Sequence, residues 1–274
     1  MNKISLIIPD LHHRWHQAEK IISSVKADEV IFLGDYFDDF DDTAEMVSDT
    51  CEWLKDSVKK PNRIHLFGNH DVSYAFSYAT FKCSGYEQWK KFITQDMLTN
   101  KTWDKLQWYH VLDNRWLLTH AGLHKLNVPN PVLALSNDRE KFLKAITDHL
   151  DVSIIEGFKA AANNVPHWIF NAGRARWGQQ RVGGITWCDY EREFLPVAGL
   201  NQIVGHTPQQ NGVKWTTLTK NSKVKTIPLA EYSPTSQELD DTNLTSNICL
   251  DVHGNTHYAT WDGKKLVIGN YRDL

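Results

Sequence analysis

Five short segments rich in aspartate and histidine are spread along this chain. They read Asp10-Leu11-His12, Gly34-Asp35-Tyr36-Phe37-Asp38, Gly68-Asn69-His70-Asp71, Thr119-His120-Ala121-Gly122 and Gly205-His206-Thr207-Pro208. Carboxylate, imidazole and amide carbonyl together make a mixed O/N donor set, which suits hard or borderline divalent ions. Asp10 and His12 are read as leaving one face of an extended segment, so that both can reach one ion. Asp35 follows a glycine and can bridge two ions. Asn69, His120 and His206 complete the set. Two ions about 3.5–4 Å apart activate a water and hold the attacking and leaving oxygens of an in-line displacement at phosphorus. The expected cofactor is therefore a pair of divalent ions, Mn2+ by preference, with Fe or Zn as alternatives. His70, beside Asn69, is the candidate general acid, oriented by Asp38. Arg14, Arg174, Arg176 and Arg181 are candidate phosphate clamps, because guanidinium pairs bidentately with phosphate.

Those residues can meet only if strands deliver them. Short apolar runs precede most of the segments: Ile4–Ile8, Val30–Leu33, Ile64–Phe67, Trp116–Leu118, and Ile203 with Val204. Runs of that length bounded by turn residues read as buried strands, and in open α/β sheets ligands gather beyond the carboxyl ends of strands. Helical spacing predicts helices over Trp15–Val25 and Thr43–Val58, which gives a β-α-β-α-β start and a parallel core layer. Residues 73–106 are aromatic, with a helix predicted over Tyr86–Met97. Trp108–Leu112 and Arg115–Leu118 read as a hairpin about Asp113-Asn114. Residues 125–195 read as a second polar, helical stretch. From Asn201 onward the chain reads as β-rich, with a last hairpin from Thr256–Trp261 to Lys265–Ile268 and a flexible loop over Ser233–Asn247.

The chain has 274 residues, 30 basic and 33 acidic side chains, and a formal net charge of −3. No global positive field would attract long nucleic acid. The apolar part of Met1–Pro9 is too short for a signal peptide or a membrane span. Cys51, Cys83, Cys188 and Cys249 are scattered without a C-x-x-C pair and lie near none of the five motifs in sequence. They read as reduced thiols in a cytoplasmic protein, and a cysteine-type structural zinc site is not expected.

The ordered set D-x-H, G-D-x-x-D, G-N-H-[DE], a lone His, then G-H resembles the calcineurin-like metallophosphoesterases. Gly205-His206-Thr207-Pro208 is similar to the phosphoprotein phosphatase branch, which includes bacterial and phage Ser/Thr phosphatases and symmetrical dinucleoside tetraphosphate hydrolases. Phosphodiesterase and nuclease branches usually carry G-H-x-H, and Pro208 stands at that second His. Trp187-Cys188-Asp189 resembles the phosphatase W-x-D segment, and Cys249-Leu250-Asp251 the strand and Asp after the last His. The resemblance implies that Asp10, His12 and Asp35 hold one metal and that Asp35, Asn69, His120 and His206 hold the other. It implies an α/β fold, an αββα four-layer sandwich of mixed sheets flanked by helices. Residues 1–274 would form one such domain, with 73–106 and 125–195 as cap or insert segments.

Three departures bear on substrate. Asp39 stands where the branch has a phosphate-binding arginine, Phe67 where it often has another, and His13 where it has a glycine after D-x-H. The first expectation is hydrolysis of phosphomonoesters on a protein or small molecule. A dinucleoside polyphosphate or nucleotide diester is the alternative, with aromatic residues at 74–108 able to stack on bases. A non-catalytic module would have lost ligands, yet all six ligand positions and His70 are present. The expected partner is a phosphorylated substrate, without membrane or long nucleic acid.

Overall fold

Alternation along the first strands sets the layering in the computed structural model, which describes residues 3–210, 212–219, 224–228, 244–252 and 257–274. In β1 (Ser5–Ile8) and β2 (Glu29–Phe32), Leu6, Ile8, Val30 and Phe32 join an apolar cluster that also takes in Ala18, Ile21, Val47 and Leu54. Those partners lie on α1 (Trp15–Val25) and α2 (Ala44–Ser57). The intervening Ile7 and Ile31 point the other way. They pack with Leu66 of β3 (Arg63–Leu66) against Trp116 and Leu118 of the second sheet. Because side chains alternate across a strand, a sheet covered on both faces needs apolar residues at every position, as these runs have.

β1, β2, β3 and the short β4 (Leu106–Gln107) are parallel neighbours. The first sheet is completed antiparallel by β11 (His257–Trp261) and β12 (Leu266–Asn270). In the second sheet β5 (His110–Leu112) pairs antiparallel with β6 (Trp116–Leu118), through a turn in which Asp113 and Asn114 both adopt positive φ. β6, β7 (Asn201–Val204) and β10 (Leu244–Cys249) run parallel, and β8 (Lys214–Thr219) and β9 (Val224–Pro228) follow antiparallel. Both sheets are mixed and helices flank them, as the resemblance implies. Among the described residues no helix is long and apolar enough to cross a membrane.

The segments between these strands carry α3 (Asn69–Ala75), α4 (Gln88–Met97), α5 (Asn100–Trp103), α6 (Asn130–Leu133) and the long α7 (Arg139–Ala162). Asp138 caps α7 by accepting from Lys141 N, and α4 starts two residues later than its pattern predicts. Most aromatic side chains of 74–108 are committed to packing, with Phe92 the exposed exception. Trp108 stacks 4.5 Å from Phe67 and lies 4.5 Å from Phe170, while Phe76 meets Phe158 edge-on at 4.9 Å. They form core and are not a platform for bases. The loop expected over Ser233–Asn247 is corrected at its end, where Leu244–Asn247 belong to β10 and pair with β8. The rest of that stretch, with Thr256 of the last hairpin, lies outside the described residues.

Candidate metal centre

Each of the five segments emerges just beyond a strand: Asp10 after β1, Asp35 after β2, Asn69 after β3, His120 after β6 and His206 after β7. The carboxyl ends of both sheets thus face one point. Two glycines permit the convergence. Gly34 has φ +106°, and a Cβ there would lie 2.4 Å from the Gly68 backbone nitrogen. A Cβ on Gly205 would lie 2.1 Å from Asp10 Oδ2, where the His206 N–H now donates to both Asp10 oxygens at 2.9 and 3.0 Å. Asp71 ties the turns together, accepting N–H bonds from Asp35, Tyr36 and Gly68, all at 2.8 Å.

The extended segment expected at Asp10-Leu11-His12 is a correction. His12 and His13 both adopt positive φ, 43° and 65°, and the N–H groups of Leu11 and His12 bond to Asp35 O. The loop turns sharply toward β2, so Asp10 and His12 meet by a tight bend and not by strand alternation. Ligand atoms of Asp10, His12 and Asp35 nevertheless lie within 4.8 Å of one another, as do those of Asp35, His120 and His206.

The donor set fits divalent ions. His120 Nδ1 faces Leu33 O at 2.9 Å, which turns Nε2 toward Asn69 Oδ1 at 3.1 Å, His206 Nδ1 at 3.2 Å and Asp35 Oδ2 at 3.2 Å. Four electron-pair donors point at one small volume with at most one proton among them. Burial pulls the His120 pKa down, but Asp35 and Asp10 outweigh it and raise it to about 9. A cation in that volume would replace the proton those carboxylates hold there. Burial and His120 push His206 well below its ordinary range, and its Nε2 is buried without a hydrogen-bond partner. His12 Nδ1 bonds to the carbonyls of Phe37 and Asp38, presenting Nε2 toward Asp35 Oδ2 at 4.0 Å. Backbone carbonyls on one ring nitrogen orient the other as a candidate ligand.

Beside this cluster, His70 Nδ1 lies 2.8 Å from Asp38 Oδ2. Burial lowers the His70 pKa, but Asp35, Cys83 and Asp38 more than reverse it and hold it well above the ordinary range. Asp38 Oδ1 accepts from Tyr74 at 2.6 Å and from Lys90 at 3.0 Å; Lys90 also pairs with Asp42 and donates to Gly85 O. Sequence reasoning missed Tyr74 and Lys90, because nothing in the pattern of α4 marks a lysine that is only 2% exposed. It also placed no cysteine near the motifs. In space, Cys83 Sγ lies 3.6 Å from His70 Nδ1.

The arginines divide. Arg176 Nε pairs with Asp189 Oδ2 at 2.7 Å and its Nη2 reaches Thr207 Oγ1 at 3.3 Å, one residue from His206. Arg14 is paired with Asp39 at 2.6 Å. Arg174 and Arg181 are exposed, and Arg181 acts electrostatically on His124. Asp251, buried beside Asp10, has its pKa raised by burial and by Asp10. A cleft of about 740 Å3 opens next to the centre between residues 79–84 and 164–187. Thr80, Cys83, Arg176, Trp177 and Trp187 are on its walls, and Trp187 meets the His206 ring edge-on at 5.7 Å.

The sequence profile of calcineurin-like phosphoesterases matches residues 5–210, about three-quarters of the chain. The chain belongs to the calcineurin-like phosphoesterase family. It is a metallophosphoesterase-type enzyme, and the family depends on metal. No curated protein sequence matches it. Among solved structures, it is similar to a metallophosphoesterase from Sphaerobacter thermophilus (11% identity, 98% of this chain and 88% of that one, TM-score 0.45). It is similar too to a Saccharomyces cerevisiae protein serine/threonine phosphatase resembling human phosphatase PP5 (12%, 98% and 79%, TM-score 0.46). A candidate diadenosine tetraphosphatase gives 13%, 98% and 94%, with TM-score 0.46.

Proposed function

We propose that this phosphoesterase hydrolyses phosphomonoesters at a binuclear centre held by Asp10, His12, Asp35, Asn69, His120 and His206. The observation that carries the reading is the convergence on His120 Nε2, where Asn69, His206 and Asp35 all present acceptors within 3.2 Å. When bound, the ions, Mn2+ by preference, supply an acidified water and neutralise charge on the phosphoryl oxygens. The protein's own groups supply the rest. His70, charged and held by Asp38, gives its proton to the leaving alkoxide. Arg176, oriented by Asp189, presents a guanidinium beside His206 where phosphoryl oxygens would lie. Arg14 is neutralised by Asp39 and does not replace the arginine that the motif lacks. Residues 73–106 and 125–195 act as cap segments bounding the cleft.

One observation favours a pyrophosphate-linked nucleotide or diester instead. Trp177 is 88% exposed and lines the cleft, a ring face open to stacking. The deciding experiment is hydrolysis by Mn2+-reconstituted protein of p-nitrophenyl phosphate, a phosphothreonine peptide, bis-p-nitrophenyl phosphate and diadenosine tetraphosphate. Preference for the monoesters is expected. Preference for the diester or dinucleotide would transfer the assignment to the second class.

A further inference from the structure

We propose that Asp38, His70 and Cys83 form a separate inhibitory zinc site on the general acid, an inference that rests on the functional reading above. It shares no residue with the six-residue cluster. Asp38 Oδ2, His70 Nδ1 and Cys83 Sγ all lie within 4.8 Å of one another. The Sγ–Nδ1 separation is 3.6 Å and the Nδ1–Oδ2 separation 2.8 Å.

Those distances can be set against tetrahedral zinc. Zn–S of about 2.3 Å and Zn–N of about 2.0–2.1 Å put sulfur and nitrogen about 3.6 Å apart; nitrogen and oxygen come out about 3.4 Å apart. The thiol and imidazole already stand at the required spacing. The Nδ1–Oδ2 pair, now joined by a hydrogen bond, must open by about 0.6 Å on the same zinc geometry, and Sγ and Oδ2 start within 4.8 Å of each other. Asp38 can turn for this while Tyr74 and Lys90 keep its other oxygen. Cys83 is half-buried and faces the cleft, which provides the entry path and room for water as a fourth ligand.

Ligand chemistry separates the two sites. The six-residue cluster offers only oxygen and nitrogen, which Mn2+ accepts, whereas a thiolate with imidazole favours the softer zinc. Binding releases two protons to solvent, one from the Cys83 thiol and one from His70 Nδ1, and leaves a Zn–S and a Zn–N bond in their place. The Nδ1–H···Oδ2 bond that orients the acid is then gone. Lys90, 3.0 Å from Asp38 Oδ1, weakens cation binding at this carboxylate, which makes the site one that fills and empties.

The test is a Zn2+ titration of the Mn2+-reconstituted enzyme, wild type against Cys83→Ser. With each protein scaled to its own zinc-free rate, half-inhibition of the variant should require at least about 10-fold more zinc, the lower end of the loss seen when support for a metal is removed. Equal zinc sensitivity in both proteins would overturn the proposal and place the inhibition at the six-residue centre. Co2+ gives a second readout that needs no turnover. Wild type should show a thiolate-to-cobalt charge-transfer band that Cys83→Ser lacks, and absence of the band in wild type would also overturn the site. A chain that shows the band but hydrolyses no phosphoester keeps the site and loses the functional reading.

Discussion

At His70 two demands meet: the ring must be charged and it must be aimed. Asp38 aims it from 2.8 Å, and Asp35 supplies much of the field that keeps the proton on. Replacing His70 with Asn removes the proposed proton donor without touching an atom of the proposed six-residue metal set. Turnover should therefore fall about 10²–10⁴-fold while the bound metal content stays as in wild type. Full activity in His70→Asn would remove this residue from the mechanism. Gly205 makes a different demand, for space. A methyl group there would sit 2.1 Å from Asp10 Oδ2 and would drive that carboxylate off the His206 N–H. Gly205→Ala should cost about 10–100-fold in metal affinity, the range for losing the groups that orient a ligand. Metal titration by calorimetry reads this directly, and unchanged affinity would contradict the role assigned to the Gly205 approach.

Between elements, the chain was legible where periodicity is strong. The strands and first two helices that deliver the candidate ligands follow from short apolar runs of two to five residues and one-sided helical spacing, and Trp15–Val25 coincides with its prediction. The bends were not legible. His12, His13, Asp35 and Asp38 all take positive φ, a conformation that Asp and His adopt more often than most residues but that residue type alone does not place. Nor could periodicity show that α4 reaches back to the site. Lys90 is a polar residue on an amphipathic helix, and its burial against Asp38 and Asp42 depends on how α4 packs beside α2 and α3. Lys90→Met should destabilise the fold by about 3–5 kcal/mol, because the Asp42 carboxylate then stays buried without its ammonium partner and Asp38 is left with His70 as its cationic partner. Lys90→Arg should recover part of the loss. Denaturant unfolding of the three proteins checks this, and a Met variant as stable as wild type would contradict it.

For the molecule as a whole, stability should fall in mild acid. His65 is buried against Phe32, Trp53 and Tyr36, and burial, helped by Arg63, lowers its pKa to about 3. The unfolded chain takes up that proton near pH 6.5 and the folded one does not. The contribution of neutral His65 is therefore complete above about pH 6.5 and is lost progressively as pH falls toward 3. Urea midpoints between pH 7.5 and 5 should drop more steeply in wild type than in His65→Asn; parallel slopes would contradict the assignment. The larger claim is that five strand ends from two sheets bring six side chains around a pair of ions and that hydrolysis happens there. Its most direct test is Mn2+-dependent hydrolysis of p-nitrophenyl phosphate, with metal content, in wild type, Asp35→Ala and His206→Ala. Wild type should hold two ions per chain and turn over, while each variant loses metal and activity together. Full activity in either variant would place the chemistry somewhere else.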